Sequence, residues 1–548
     1  MNFKRMLISS LLALSFVLSS CGLIIINDND SKNPIQVTTA PDTVKAPENG
    51  DASPNTAEAN TEDGGDVSHP ENAADRAKKR VAALQNDDFS GQSFIIATSS
   101  EMTFATDGES YYDRALLLRD SIVEEKYNID IINVYVDDRT IEQEMVNSSL
   151  AGDYYADLLS VPEFRIGSLA AKGLIMNLRS LPFYGTVDSY SKNYSAAYAG
   201  SSIYADIGAA STDFSKIYAV FFNRSAVESL GHDIDKMVED GEWTWDTFDK
   251  LARLAGERLG MVGQGSYSMG DEYTDIVFRS ANIKLVDNTL GKTPTVSFDS
   301  ARLEDAVEQA CALIYGNPSS YKPMAGATIL DFYSLFGEGK LLFALAPLSA
   351  MEILSSSSVK WGIAPIPKMD EKQNGYYAYT EASASVLAVP SENNKPLMTG
   401  LVIGALNTAS YELLEEEYKT HCLYNYFSSS KTLRSMDEVL DSITFDFTYF
   451  YSSAADLLAS ATHGAVREAR KSKSDYATDL INGRKEEADE QLSVLFGNVE
   501  FPEDEYPIPP FETEEPVETQ EPIESEFEET TALPETEEIK DTEKSELE

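Results

Sequence analysis

Carboxylates dominate the reactive groups of this 548-residue chain, with 91 Asp and Glu against 43 Lys and Arg, four histidines and three cysteines. Two carboxylates flanking a glycosidic bond can act as acid and base or as acid and nucleophile, provided their separation is fixed. Glu101 and Glu163, each just beyond an apolar stretch, are a candidate pair. No hydrolase motif accompanies them, so catalysis is the weakest of the available readings. His69, His232, His421 and His463 follow neither a metal-ligand nor a triad spacing, which weakens hydrolase and metalloenzyme classes together. Cys311 lies in the apolar helical pattern Ala306, Val307, Ala310, Ile314 and has no metal-ligand relation to Cys422; both read as buried free thiols. No enzyme, cofactor or metal is expected.

Cys21 has a different chemistry open to it. It closes Leu18-Ser19-Ser20-Cys21, behind basic Lys4 and Arg5 and the apolar run Leu7 to Leu18. This pattern resembles the bacterial lipobox. The resemblance implies diacylglycerol on the Cys21 sulfur, a signal peptide over 1–20, and a chain held on the extracytoplasmic face of the cell membrane. Apolar residues resume at Gly22 to Ile26, which leaves an uncleaved membrane anchor as the rival reading. Small residues and a cysteine at that spacing favour the lipoprotein.

The elements that must position any site lie further on. With 42% apolar and 10% aromatic residues, a chain of this length has material for two or more lobes. A net charge of −48 argues against nucleic acid as a partner, since phosphate contact needs basic surface. Residues 21–88 are expected to form a disordered tether, about 60 polar residues spanning roughly 40–45 Å, with a short helix possible over Ala73 to Leu84. Residues 497–548 are expected to form a disordered acidic tail: Val499 to Glu548 carries 20 Asp and Glu against 2 Lys. Between them, Ser93–Thr98, Ile129–Val136 and Ala156–Ser160 are apolar strands alternating with helices over Ser110–Tyr127, Asp138–Leu150 and up to Ala171. That alternation predicts an α/β fold with a parallel sheet covered on both faces. Ligands of such sheets bind beyond the strands' carboxyl ends, at Ser99 to Thr106 and Val161 to Phe164.

Six motifs in order resemble the extracellular solute-binding proteins of ABC importers, the sugar-associated family 1. They are Ala156-Asp157-Leu158-Leu159-Ser160, Lys172 to Leu178, and Ile217 to Arg224 with its Phe222-Asn223-Arg224 ending. Glu242 to Phe248 with Thr244-Trp245-Asp246, Phe336 to Lys340 before the strand Leu341–Ala346, and Trp361 to Pro367 complete the set. Phe222 and Arg224 depart from the family's usual Tyr and Lys, and the tether and tail are additions. Thr244 reads first as a helix cap, Trp361 as packing, Asp157 as a cap and Gly337 and Gly339 as a turn.

The resemblance implies a periplasmic-binding-protein-like fold over 89–496, two lobes joined by crossover strands, with the ligand cleft between them. Lobe one would hold about 89–218 and 368–420, and lobe two about 222–366 and 428–496. The crossovers would lie near Tyr218 to Phe222, Ala364 to Pro367 and His421 to Phe427. The implied partners are a small solute, preferentially a saccharide, ABC permease subunits and the membrane through the lipid; the protein is expected to be a monomer. A surface receptor or adhesin holding polymer or peptide without a permease is the rival function. Candidate ligand contacts are Glu101, Glu163, Tyr333, Tyr379 and Glu381, because tyrosine faces and planar acceptors suit sugar C–H surfaces and hydroxyls.

Overall fold

The computed structural model describes residues 72–108, 110–186, 194–381, 383–426, 431–470 and 476–496. The chain divides into two units, Met1–Ser68 and His69–Glu548. Cys21, the tether up to residue 71 and the acidic tail lie outside the described residues, all of which belong to the second unit.

Helix α1 (Ala73–Ala82) corrects the tether's expected end at residue 88. Asn72 caps it by accepting from the Asp75 N–H at 2.8 Å. Ala73, Ala77 and Val81, four apart, form one buried stripe. Arg76 and Arg80 reach Glu412 at 3.0 and 2.5 Å, on the long helix Pro396–Asn425. A polar segment becomes ordered here because its few apolar residues share a helical face and its arginines meet carboxylates.

The first sheet comprises β1 (Gln92–Thr98), β2 (Ile129–Tyr135), β3 (Leu158–Pro162) and a late strand, Ser385–Ala388, in the order late strand–β3–β1–β2. β1 pairs parallel with both β2 and β3, as expected. The late strand pairs antiparallel with β3, which makes the sheet mixed. β3 is buried throughout, whereas β2 is an edge whose Ile132 and Val134 are 40% and 42% exposed. Coverage of both faces therefore stops short of β2. The order reverses at β1, the topological switch point, beyond whose strand ends such sheets place their ligands.

The second sheet comprises β4 (Tyr218–Asn223), β5 (Val262–Ser266), β6 (Leu341–Pro347) and β7 (Trp361–Ala364), in the order β7–β4–β6–β5. β6 is parallel to β5 and antiparallel to β4. Its core is aromatic: Trp243, Phe248 and Phe343 pack with ring centroids 4.7–5.9 Å apart. The Trp243 indole N–H donates to the Pro365 carbonyl at 2.8 Å, and that of Trp245 to Ser280 at 2.8 Å. Thr244 caps the helix Trp245–Leu254, Asp157 accepts from the Ile95 N–H at 2.8 Å, and Trp361 packs on Phe221. Cys311 and Cys422 are free thiols; Cys311 is half-buried rather than buried as expected, and Cys422 is pushed up to about 12 by burial.

Two boundaries need correction. Residues 368–376 belong with lobe two: Lys368 bonds with Trp243 and Trp245, and Arg302 pairs with Asp370 at 2.5 Å. No strand crosses at 421–425, which finishes the helix Pro396–Asn425. Among the described residues that helix alone is long and apolar enough to cross a membrane, and 78% of its apolar window is buried in the fold. The crossover expected near Ala364 to Pro367 lies instead at 378–380, beside Ile217, and the third segment comes from residues 442–444.

Candidate functional site

Three chain segments run side by side where the lobes join. Ile217 forms an antiparallel bridge with Thr380, flanked by Tyr218 N–H to Tyr379 C=O at 2.9 Å and Glu381 N–H to Lys216 C=O at 3.1 Å. Ala378 bridges Ile443 in parallel and its N–H donates to Ser442 C=O at 2.7 Å. The Thr444 hydroxyl donates to Ala378 C=O at 3.0 Å. This three-stranded hinge places side chains from both lobes at one seam.

Tyr379 packs edge-on against Tyr218, with ring centroids 5.0 Å apart, and is only 7% exposed. The Tyr218 hydroxyl donates to Glu272 at 2.5 Å, on the first turn of the lobe-two helix Asp271–Ser280; the Ser266 hydroxyl, at the end of β5, donates to the same oxygen at 3.4 Å. Burial raises the Glu272 carboxyl, and the Tyr218 hydrogen bond opposes it. Glu381 is half-buried and paired with Lys216 at 2.8 Å. Tyr333 is buried on the helix Ile329–Gly337; burial, then the charges of Glu381 and Glu272, push its phenol up. Tyr379 thus packs on Tyr218, which holds Glu272, while Glu381 and Tyr333 are tied to this group through their electrostatics.

Glu163 lies at the end of β3, its N–H donating to Ala384 C=O at 2.9 Å. It is 1% exposed, and its Oε2 has no hydrogen-bond partner among the described residues. Burial raises this carboxyl well above the usual range; Arg279 of lobe two pulls it down and Asp446 pushes it up. Arg279 and Asp446 are themselves 3.4 Å apart. Asp446 caps the short helix Phe447–Phe450, which lies against lobe one: a Cβ on Gly167 would sit 2.7 Å from the Phe450 carbonyl oxygen. Glu163 therefore sits at the seam, linked electrostatically to the Tyr379 group through Arg279, which also influences the Tyr379 phenol.

Glu101 is not brought to this group by any contact among the described residues. It is exposed on the loop after β1 and accepts from the Thr106 hydroxyl at 2.6 Å. Beyond β1, Ser100 is the residue turned inward, donating to the buried Asp213 at 2.9 Å. Sequence reasoning missed Lys216, Tyr218, Glu272, Arg279 and Asp446. For Glu272 a signal existed: it closely follows β5, the same strand-end rule that pointed to Glu101 and Glu163. Among the described residues no group of three His, Cys, Asp or Glu side chains could hold a metal ion.

Residues 117–396 match the family model described as bacterial extracellular solute-binding protein. No curated protein matches the sequence. Among solved structures, the galacto-N-biose/lacto-N-biose I-binding protein of an ABC transporter from Bifidobacterium longum is 14% identical, with a TM-score of 0.48 over 75% of this chain and 99% of that one. A family 1 extracellular solute-binding protein from Alicyclobacillus acidocaldarius is 13% identical, TM-score 0.47, covering 74% and 100%. A cyclo/maltodextrin-binding protein complexed with maltotetraose is 13% identical, TM-score 0.49, covering 73% and 97%.

Proposed function

This chain belongs to the bacterial extracellular solute-binding proteins, and on that premise we propose that it is the lipid-anchored capture component of an ABC importer, taking a carbohydrate between its lobes. The observation that carries the carbohydrate is the seam itself, where the phenols of Tyr218, Tyr333 and Tyr379 converge with the carboxylates of Glu272 and Glu381. Phenol rings suit the C–H faces of a sugar, and planar carboxylates accept from paired hydroxyls. A solute touching groups from both lobes favours the closed arrangement by differential affinity, and that arrangement is the one a permease would recognise.

Thermal unfolding of the purified protein against a panel of oligosaccharides tests the reading. A ligand at a hundred times its dissociation constant stabilises the native state by about 2.7 kcal/mol, enough for a shift of a few degrees. No shift with any saccharide, and a shift with peptides, would leave a binding protein without the sugar. The anchor has its own test: Cys21→Ala is expected to leave uncleaved precursor or to release protein from the membrane fraction. Wild-type fractionation and migration of the variant would overturn lipidation.

A further inference from the structure

Resting on the carbohydrate reading, we propose that the solute carries a cationic nitrogen, as an amino sugar does, and that Glu163 is the residue that selects it.

Glu163 supplies the first observation. A buried carboxylate is costly unless paired, and a buried acceptor left unmade costs more than a hydrogen bond contributes. Glu163 is held at 1% exposure with Oε2 unpartnered, a buried acceptor for which the described residues supply no donor. The cation acting on it, Arg279, is shared with Asp446 at 3.4 Å. A ligand ammonium would complete the arrangement.

The balance of charge around the seam supplies the second. Glu163, Asp213, Glu272, Asp275, Glu381 and Asp446 are six carboxylates contributed by both lobes and the hinge. Facing them are Lys216, paired with Glu381 at 2.8 Å, and Arg279. His463 lies 2.8 Å from Asp275; burial pulls its imidazole down, but the Asp275 hydrogen bond and charge outweigh that and hold it raised. Arg467, one turn further along the same helix, is matched by Asp271 at 2.5 Å. Lys284 lines a small cavity with Asp446, so even with His463 protonated four cations meet six carboxylates. The deficit suits an organic cation rather than a metal ion, for which no cluster of three ligands exists among the described residues. The chain's net charge of −48 also raises the local concentration of cationic solutes.

A bound ammonium lowers the Glu163 carboxyl from its raised free position, so binding releases a proton and strengthens as pH rises toward that raised position. Calorimetry of the purified protein with glucosamine disaccharide and its N-acetylated counterpart, in two buffers of different ionisation enthalpy, reads both effects. The expected result is at least tenfold tighter binding of the amino disaccharide, with proton release. Glu163→Gln, a neutral isostere that keeps the fold, abolishes the preference; Glu272→Gln, the second variant, weakens it. Equal or tighter binding of the acetylated sugar without proton release, or an unchanged preference in Glu163→Gln, overturns the proposal and leaves the carbohydrate reading standing. Silence with both sugars overturns the amino-sugar form and returns the carbohydrate reading to the wider oligosaccharide panel, and spermidine then tests the charge alone. Spermidine binding lost in Glu163→Gln supports it, and no spermidine binding overturns it.

Discussion

Tyr379→Ala is expected to destabilise the unliganded protein by about 3–5 kcal/mol, the range for removing a buried aromatic ring. The position was expected to face an open cleft, from which truncation would be nearly free. Instead the ring is 7% exposed, packed edge-on to Tyr218 at 5.0 Å, with its own carbonyl accepting the Tyr218 N–H. Removing it opens a void beside the hinge, so stability and ligand affinity fall together. Scanning calorimetry reads the first and titration the second. Glu381→Ala serves as the contrast, because its pair with Lys216 is about a third exposed and exposed pairs contribute about 0–1 kcal/mol. A loss below about 1 kcal/mol in Tyr379→Ala would return that ring to an open cleft.

Arg119→Met is expected to cost about 3–5 kcal/mol, through a different mechanism. The Arg119 side chain is fully buried, donating through Nε and Nη2 to one oxygen of Asp120 at 2.8 and 2.7 Å and through Nη1 to the Thr103 carbonyl at 2.9 Å. Its guanidinium lies 4.2 Å from the Phe104 ring centre. Methionine fills much of the volume but leaves Asp120 charged and buried, with Asn133 at 2.8 Å as its remaining donor. Adding Asp120→Asn to Arg119→Met should recover part of the loss, since the uncompensated charge is then gone. A double variant no more stable than the single one would place the cost in lost packing instead.

The parallel core of lobe one was legible because β1, β2 and β3 are continuous apolar runs separated by helices, and burial on both faces leaves that mark. The direction of Ser385–Ala388 was not legible: a short buried strand has the same composition parallel or antiparallel, and only its route past the hinge decides. Helix α1 was legible as a helix over Ala73 to Leu84, but not its docking on the fold, which depends on Glu412, more than three hundred residues away. At the site, the strand-end rule found Glu163 but also produced Glu101, since it names a loop and not the side of the loop that turns inward. Tyr218 sat inside a recognised motif and was read as crossover backbone, whereas its hydroxyl orients Glu272. Arg279 and Asp446 acquire meaning only through each other and through a residue on the opposite lobe, a relation that no local pattern carries.

The hinge has a mechanical consequence. Its three strands are stitched at Ile217, Ala378 and Thr380 by backbone hydrogen bonds that run across the direction of the chain. A ribbon of that kind flexes like a leaf spring: small torsions shared among three peptide segments add up to a large swing, while sideways slip would break several bonds at once. Each return stroke therefore follows the same arc. Amide protons of Tyr218, Ala378 and Glu381 should be among the slowest in the molecule to exchange with solvent, although they sit where the lobes join.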